Sequence, residues 1–375
     1  MERRIILFLL SLALPFAGFG QEAGDRVEAA WSHSAVPGTR IVKFTDMSRG
    51  DVTSWRWDFG DGTFSDERNP VHAYARDGAH YTVTLRVSGT GGKSPSSKEQ
   101  DVRVVGDAGT SKSLFWRSDS LQVDEIVSQE AVQYSKVGHH GPAVENAWSA
   151  FRIYFNDSGA IDVYSKGTSG PELDRYHWYP TEEQQAVESA GVDEYLVGKT
   201  VGLGGIALWD GRREVKLVAT EGRTARVGKT ENGSFAEIIA YGVVCRKKSY
   251  DISIRVDVSD GDRVAKVTAR ELNGRKVRFL TGVNYHPGES VIQGKGYASV
   301  WGTHPADVSQ DPAPIGAGII YDAKAFRKVV RTEDMVRLVS APSAAVTTRI
   351  VSASTREPGL NTEGLFLSFV RSLAD

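Results

Sequence analysis

Five of the eight histidines, His139, His140, His177, His286 and His304, fall after residue 130. Each stands beside glycine, proline or an aromatic residue rather than inside a smoothly alternating run. His139-His140-Gly141-Pro142 and Trp301-Gly302-Thr303-His304-Pro305 read as loops. Tyr176-His177-Trp178-Tyr179-Pro180 and Asn284-Tyr285-His286-Pro287 read as strand ends entering loops. Loops held at one end of a rigid scaffold are where sites are built, and imidazole titrates near neutral pH. His177 and His286 are therefore the leading acid/base candidates, with His140 beside them and Tyr176 as a proton donor. Arg152, Asn284, Tyr285 and His304 are candidates for holding a polar substrate. Trp178 and Trp301 could stack on sugar rings, although large aromatics are as often core.

Other chemistries find less support. A glycoside hydrolase needs two carboxylates across the scissile bond. Acids are plentiful, but none forms a pair of diagnostic spacing, and Glu182-Glu183 reads as a solvated turn. Gly202-Leu203-Gly204-Gly205 lacks the spacing of a dinucleotide fingerprint and precedes a strand, not a helix. No cofactor is assigned. A divalent metal held by His139, His140, His177 and His286 stays open, provided His139-His140 lies in a loop, since adjacent residues of a strand face opposite ways.

The elements that must position these residues are strands. Gly is abundant at 39 and Met scarce at 3, which favours turns and strands over helices. Phe151, Ile153 and Phe155 alternate with Arg152 and Tyr154, which puts Arg152 on a solvent face in the plainest reading. Asp210-Gly211, Asn232-Gly233 and Asn273-Gly274 are hairpin signals. Only Thr362–Leu373 has helical spacing of its apolar residues, with Asn361 or Thr362 as cap. The balance of 45 basic and 47 acidic residues leaves no footprint for wrapping nucleic acid. The lone Cys245 sits in an apolar run and reads as buried filler; it excludes an intrachain disulfide.

At the N-terminus, Arg3 and Arg4 precede an apolar run from Ile5 to Phe16, and Gly18 and Gly20 follow. This is the order of a secretory signal peptide, here residues 1–20, cleaved near Gly20. It predicts a periplasmic or secreted protein whose mature form has no membrane span.

Residues 25–105 divide into short strands with Gly/Asp turns, as a β-sandwich requires. The run Trp57-Asp58-Phe59-Gly60-Asp61-Gly62-Thr63, then Asn69-Pro70, His72-Ala73-Tyr74 and Gly78-Ala79-His80-Tyr81-Thr82-Val83, resembles the PKD (polycystic kidney disease) domain. That resemblance implies an Ig-like sandwich acting as a spacer or weak adhesion module. Asp58 and Asp61 then read as turn formers rather than a catalytic pair, since Asp side chains bond nearby backbone N–H groups.

A linker, 106–112, leads into residues 113–375. Glu145-Asn146-Ala147-Trp148-Ser149-Ala150-Phe151-Arg152-Ile153-Tyr154, Ile161-Asp162-Val163-Tyr164-Ser165-Lys166, Tyr176-His177 and the long run from Asp193-Glu194-Tyr195 to Trp209 resemble the family called domain of unknown function 4861. The resemblance implies an all-β chain whose second part is a large antiparallel supersandwich like galactose mutarotase. It also implies an acidic plant or algal oligosaccharide as partner, and similarity to exported proteins that dehydrate uronic acid ends of ulvan fragments. Such β-elimination removes the C5 proton and expels the C4 substituent. A cation must offset the substrate carboxylate, for which Arg152 is the candidate with Asn284 as a neutral donor. Dehydratase and lyase differ only in the leaving group. An inert carbohydrate-binding or scaffold protein, or a hydrolase or mutarotase on the same fold, are the alternatives.

Overall fold

The computed structural model describes residues 27–35, 41–74, 80–90, 95–103, 109–130, 133–166, 172–173, 180–181, 183–184, 191–306, 312–357 and 360–374. By contact the chain falls into two compact units, one holding most residues up to Val102 and the other everything from Arg103 onward.

The first unit is a sandwich of a three-stranded and a four-stranded sheet. In strand Ile41–Asp46, Val42 and Phe44 are buried while Lys43 and Thr45 are exposed, so the alternation resolves as an inner and an outer face. Trp57 is fully buried, with its ring 5.3 Å from Phe44 and 5.5 Å from Trp31. Its indole N–H donates to the Glu67 carbonyl, so burial leaves no polar atom unmet. The Asp-Gly run is a turn. Asp58 accepts from the Gly60 N–H at 2.9 Å and Asp61 from the Thr63 N–H at 3.0 Å, with Gly60 and Gly62 at φ +75° and +87°. His72 stacks on Phe59 at 4.0 Å and bonds Asp61 at 2.7 Å, which is structural work.

The second unit is a two-layer supersandwich. One layer is a nine-stranded sheet; the other is made of a four-stranded and a five-stranded sheet. One continuous core contains Phe151 and Val163 of the four-stranded sheet, Phe279 and Leu338 of the five-stranded sheet, and Ile254 and Val267 of the nine-stranded sheet. Residues 201–206 join the two smaller sheets. The Leu203 N–H donates to the Ile161 carbonyl at 3.0 Å, and the Gly204 N–H to the Gly282 carbonyl at 2.8 Å. The glycines are there because nothing larger fits: a Cβ on Gly202 (φ +67°) would lie 2.1 Å from the Ile161 oxygen.

Several expectations change. The Asp210-Gly211 hairpin forms, with Trp209 paired to Glu214. At Asn232-Gly233 the loop is Glu231-Asn232, because Thr230 pairs with Gly233, whose missing Cβ admits the Val258 carbonyl. Asn273-Gly274 is a turn but closes no hairpin: it passes the chain from the nine-stranded sheet to the five-stranded one. Part of the linker belongs to the second unit, since Ser111–Ser113 is a strand paired with Ala143–Glu145. The helix spans Glu363–Ala374, capped by Thr362, and lays Phe366 and Val370 over Gly316 and Gly318. No helix among the described residues is long and apolar enough to cross a membrane. Cys245 is buried, and burial raises its thiol pKa.

Candidate functional site

The extended segment Asp193-Glu194-Tyr195-Leu196 lies across one end of the large unit and contacts a different group at each residue. Asp193 accepts from Arg152 at 2.6 Å. Glu194 accepts from Arg356 at 2.8 Å, the Ala313 N–H at 2.7 Å and Ser165 at 2.5 Å. Tyr195 packs its ring 4.6 Å from that of His304. The Leu196 carbonyl accepts from Asn284 Nδ2 and His286 Nε2, both at 2.9 Å.

Strand Phe279–Asn284 ends at this point, and the turn His286-Pro287-Gly288-Glu289 carries the chain to strand Ser290–Gly294 of the other layer. The turn closes by a bond from the His286 N–H to Glu289 Oε2 at 2.8 Å. His304, just beyond strand Tyr297–Gly302, sets its ring 4.6 Å from that of His286. Two layers thus each deliver one histidine to one place. A carbonyl only accepts, so His286 carries its proton on Nε2 and presents Nδ1 as its basic nitrogen. Burial, reinforced by His286, lowers the His304 pKa to about 3, so that ring is neutral at pH 7. Burial raises the Glu289 carboxyl and, with Glu289 adding to it, the Tyr195 phenol. His286 opens onto a groove of about 310 Å³ lined also by Lys199, Asn284, Tyr285, Glu333 and Asp334.

A second polar cluster is centred on Arg152. Every residue of strand Ser149–Ile153 is buried, so Arg152 does not face solvent. Ala150, Tyr164 and Leu173 form an apolar cluster on this sheet, which covers the face the alternation assigned to water. The guanidinium is bonded by Asp162 and Asp193, and Tyr154 donates to Asp162 at 2.6 Å. Arg152, the candidate partner of a substrate carboxylate, is a buried cation held by two acids, and it also lines a cavity with His139, Glu145, Tyr164 and Lys166. His140 Nδ1 donates to the Tyr134 carbonyl at 3.0 Å, and the ring stacks on Tyr134 at 3.8 Å. Burial, with Arg152 and Arg117 adding to it and the bond to Tyr134 opposing it, lowers the His140 pKa.

Four of the five histidines lie among the described residues. His286 and His304 meet, with Asn284 beside them. His139 and His140 occupy a tight turn at φ +53° and +62° and diverge: His139 faces Ser113 and Phe115, and His140 faces Tyr134. They therefore cannot ligate one ion together. Among the described residues, no group of three or more His, Cys, Asp or Glu side chains is arranged to hold a metal. Tyr285 gives its hydroxyl to the Thr332 carbonyl and its ring face to Arg331, so it anchors a neighbouring turn. Trp301 packs on Phe366 of the C-terminal helix, which uses its ring for packing. Tyr176, His177 and Trp178 lie outside the described residues. Tyr195, Glu289, Asp162 and Asp193 were not selected from sequence as site residues. The signal available was the density of polar residues in the run beginning at Asp193.

A model of the family described as domain of unknown function (DUF4861) matches residues 70–375, and a PKD domain model matches residues 27–104. Collagenase ColA of Bacillus cereus is 49% identical over 70 residues, 18% of this chain and 7% of that protein. The chain thus spans a small fraction of that relative's length. The PKD1 domain of Vibrio anguillarum Epp is 26% identical, covering 22% of this chain and 96% of that one, with a TM-score of 0.20. The 4-alpha-glucanotransferase of Thermococcus litoralis is 12% identical over 64% of this chain and 42% of that one, at a TM-score of 0.30. With its family model covering most of its length behind a PKD domain, the chain belongs to the domain of unknown function 4861 family.

Proposed function

We propose that the protein is an exported carbohydrate-active enzyme that carries out β-elimination at uronic acid units of acidic oligosaccharides, with His286 as the base. The observation that carries this reading is the anchoring of His286 Nε2 on the Leu196 carbonyl, which fixes the tautomer with a basic Nδ1 in a side chain lining an open groove. Lys199, exposed on the same groove, supplies the positive charge that a uronate carboxylate needs once Arg152 is taken by Asp162 and Asp193. The C5 proton passes to Nδ1, electron density moves toward the carboxylate and then forms the C4–C5 double bond as the C4–O bond breaks, and the leaving oxygen takes a proton back from the His286 imidazolium or from solvent to depart as water or as a sugar hydroxyl. Export rests on the charged and apolar order of residues 1–20.

The test is incubation of the purified protein with uronate-ended oligosaccharides, followed by ultraviolet absorbance of an unsaturated uronate and by mass spectrometry. Loss of water supports dehydration, and cleavage with the chromophore supports a lyase. Cleavage without the chromophore would make the protein a hydrolase. Sugar binding with no product would make it a binding module.

A further inference from the structure

Buried carboxylates in this unit are matched to a Lys or Arg: Glu145 to Lys166, Asp162 to Arg152, Glu194 to Arg356, Glu271 to Arg275 and Glu357 to Arg263. Among the described residues, Glu289 is the exception. Its side chain is 2% exposed, and its one ion-pair distance among the described residues is 3.5 Å, from Oε1 to His304 Nε2. That is too long for a good hydrogen bond; Glu289 Oε1 makes none, and the His304 ring has no well-formed hydrogen bond although the Leu196 carbonyl lies close enough to favour its protonated form.

Two further buried polar atoms near these residues also lack a well-formed hydrogen bond. Asn284 Oδ1 has no partner, and its assignment is fixed because Nδ2 donates to Leu196. The Tyr195 hydroxyl makes no well-formed hydrogen bond beyond an interaction with the Asn284 backbone, and its ring lies against His304. Unpaired polar atoms gathered at one buried place are costly, and buried charge is ordinarily paired or bound to a metal. Three of these atoms are acceptors, a carboxylate oxygen, an amide oxygen and one imidazole nitrogen, and the phenol oxygen, which keeps its proton, can also accept. A cation satisfies acceptors together, which a single donor cannot. Two ligand atoms at ordinary bond lengths of about 2.0–2.2 Å from one ion can stand 3.5 Å apart, as Glu289 Oε1 and His304 Nε2 do.

We infer that Glu289 and His304, completed by Asn284 and Tyr195, form a binding site for one divalent transition-metal ion of the manganese or zinc class. The imidazole nitrogen favours that class over calcium or magnesium, which take oxygen ligands. The inference rests on the pairing of buried groups and not on the proposed reaction, so either can fail alone.

The experiment uses the full chain, stripped with a chelator and dialysed. Calorimetric titration with Mn²⁺ and with Zn²⁺, thermal unfolding with and without each ion, and elemental analysis of the protein as purified are the readouts. One ion per chain is expected, with a rise in the unfolding midpoint of the large unit. Glu289→Gln should weaken binding at least tenfold and Tyr195→Phe by less. In the unmutated protein, Mn²⁺ should broaden the His304 and Tyr195 ring resonances before those of His139, a readout that survives if a variant fails to fold. Absence of stoichiometric binding by both metals overturns the inference. So does binding that Glu289→Gln leaves unchanged, or broadening that begins at His139.

Discussion

Arg152 and Asp193, 41 residues apart in sequence, are joined by a 2.6 Å bond that ties the Asp193–Leu196 segment to the four-stranded sheet. Asp162 holds the same guanidinium, and Tyr154 bonds Asp162. The segment that anchors His286 is thus itself anchored by a buried charge cluster. Asp193→Asn keeps the shape and removes one charge. It should destabilise the large unit by about 1–3 kcal/mol, since a bond to a charged group is weakened while Asp162 still holds Arg152. Arg152→Met should cost more, about 3–5 kcal/mol, because it strands two buried acids. Urea unfolding of the two variants gives the order.

His286→Gln should lower kcat by about 10²–10⁴-fold if His286 is the base of the elimination, with little change in the melting temperature, as its ring is only partly buried. Tyr285→Phe is the control. Its hydroxyl is spent on Thr332, so it should cost about 1 kcal/mol in stability and leave kcat near the wild-type value. Steady-state kinetics with unfolding curves on both variants would expose an error: equal losses of kcat would mean that Tyr285, not only His286, acts on substrate.

Gly202 and Gly274 both have positive φ, +67° and +73°. A Cβ on Gly274 meets open space, so Gly274→Ala should cost only the backbone term, about 1–2 kcal/mol. A Cβ on Gly202 meets the Ile161 carbonyl, so Gly202→Ala should exceed that several-fold or prevent folding. Soluble yield and chemical unfolding compare them.

In the small sandwich, burial pushes the Asp61 carboxyl up, but bonds from Thr63 and His72 outweigh it and leave its pKa below 3.8. A carboxylate with a lowered folded pKa stabilises fully above its unfolded pKa, and that contribution fades as pH falls through the folded value. Amide exchange at Thr63 should therefore accelerate as pH drops below about 3.8 once intrinsic rates are divided out. Asp61→Asn should flatten that dependence.

The strands, the sandwich turn at Asp58–Thr63 and the C-terminal helix were legible because each rests on local pattern: alternation, glycine at positive φ, three- and four-residue spacing. His286, His304 and Asn284 were legible as site candidates because they sit at strand ends. The role of Arg152 was not. A period of two says which residues share a face, but not whether a distant segment covers that face, and Leu173 and Asp193 are what cover it here. Glu289 was one acid among many in the sequence. What sets it apart is that, among the described residues, no Lys or Arg forms an ion pair with it where the two layers meet, and that is a fact of long-range packing.

Strand Ala345–Ser354 lies inside the nine-stranded sheet, between Ile315–Tyr321 and Ala265–Glu271. The halves of that sheet have no common edge until residues 345–354 arrive. A chain emerging from a ribosome or a translocation pore must therefore hold its large apolar strands open until almost all of it is through. The nine-stranded sheet therefore closes only after residues 345–354 are available, which makes its assembly a long-range event rather than a stepwise one from the N-terminal side.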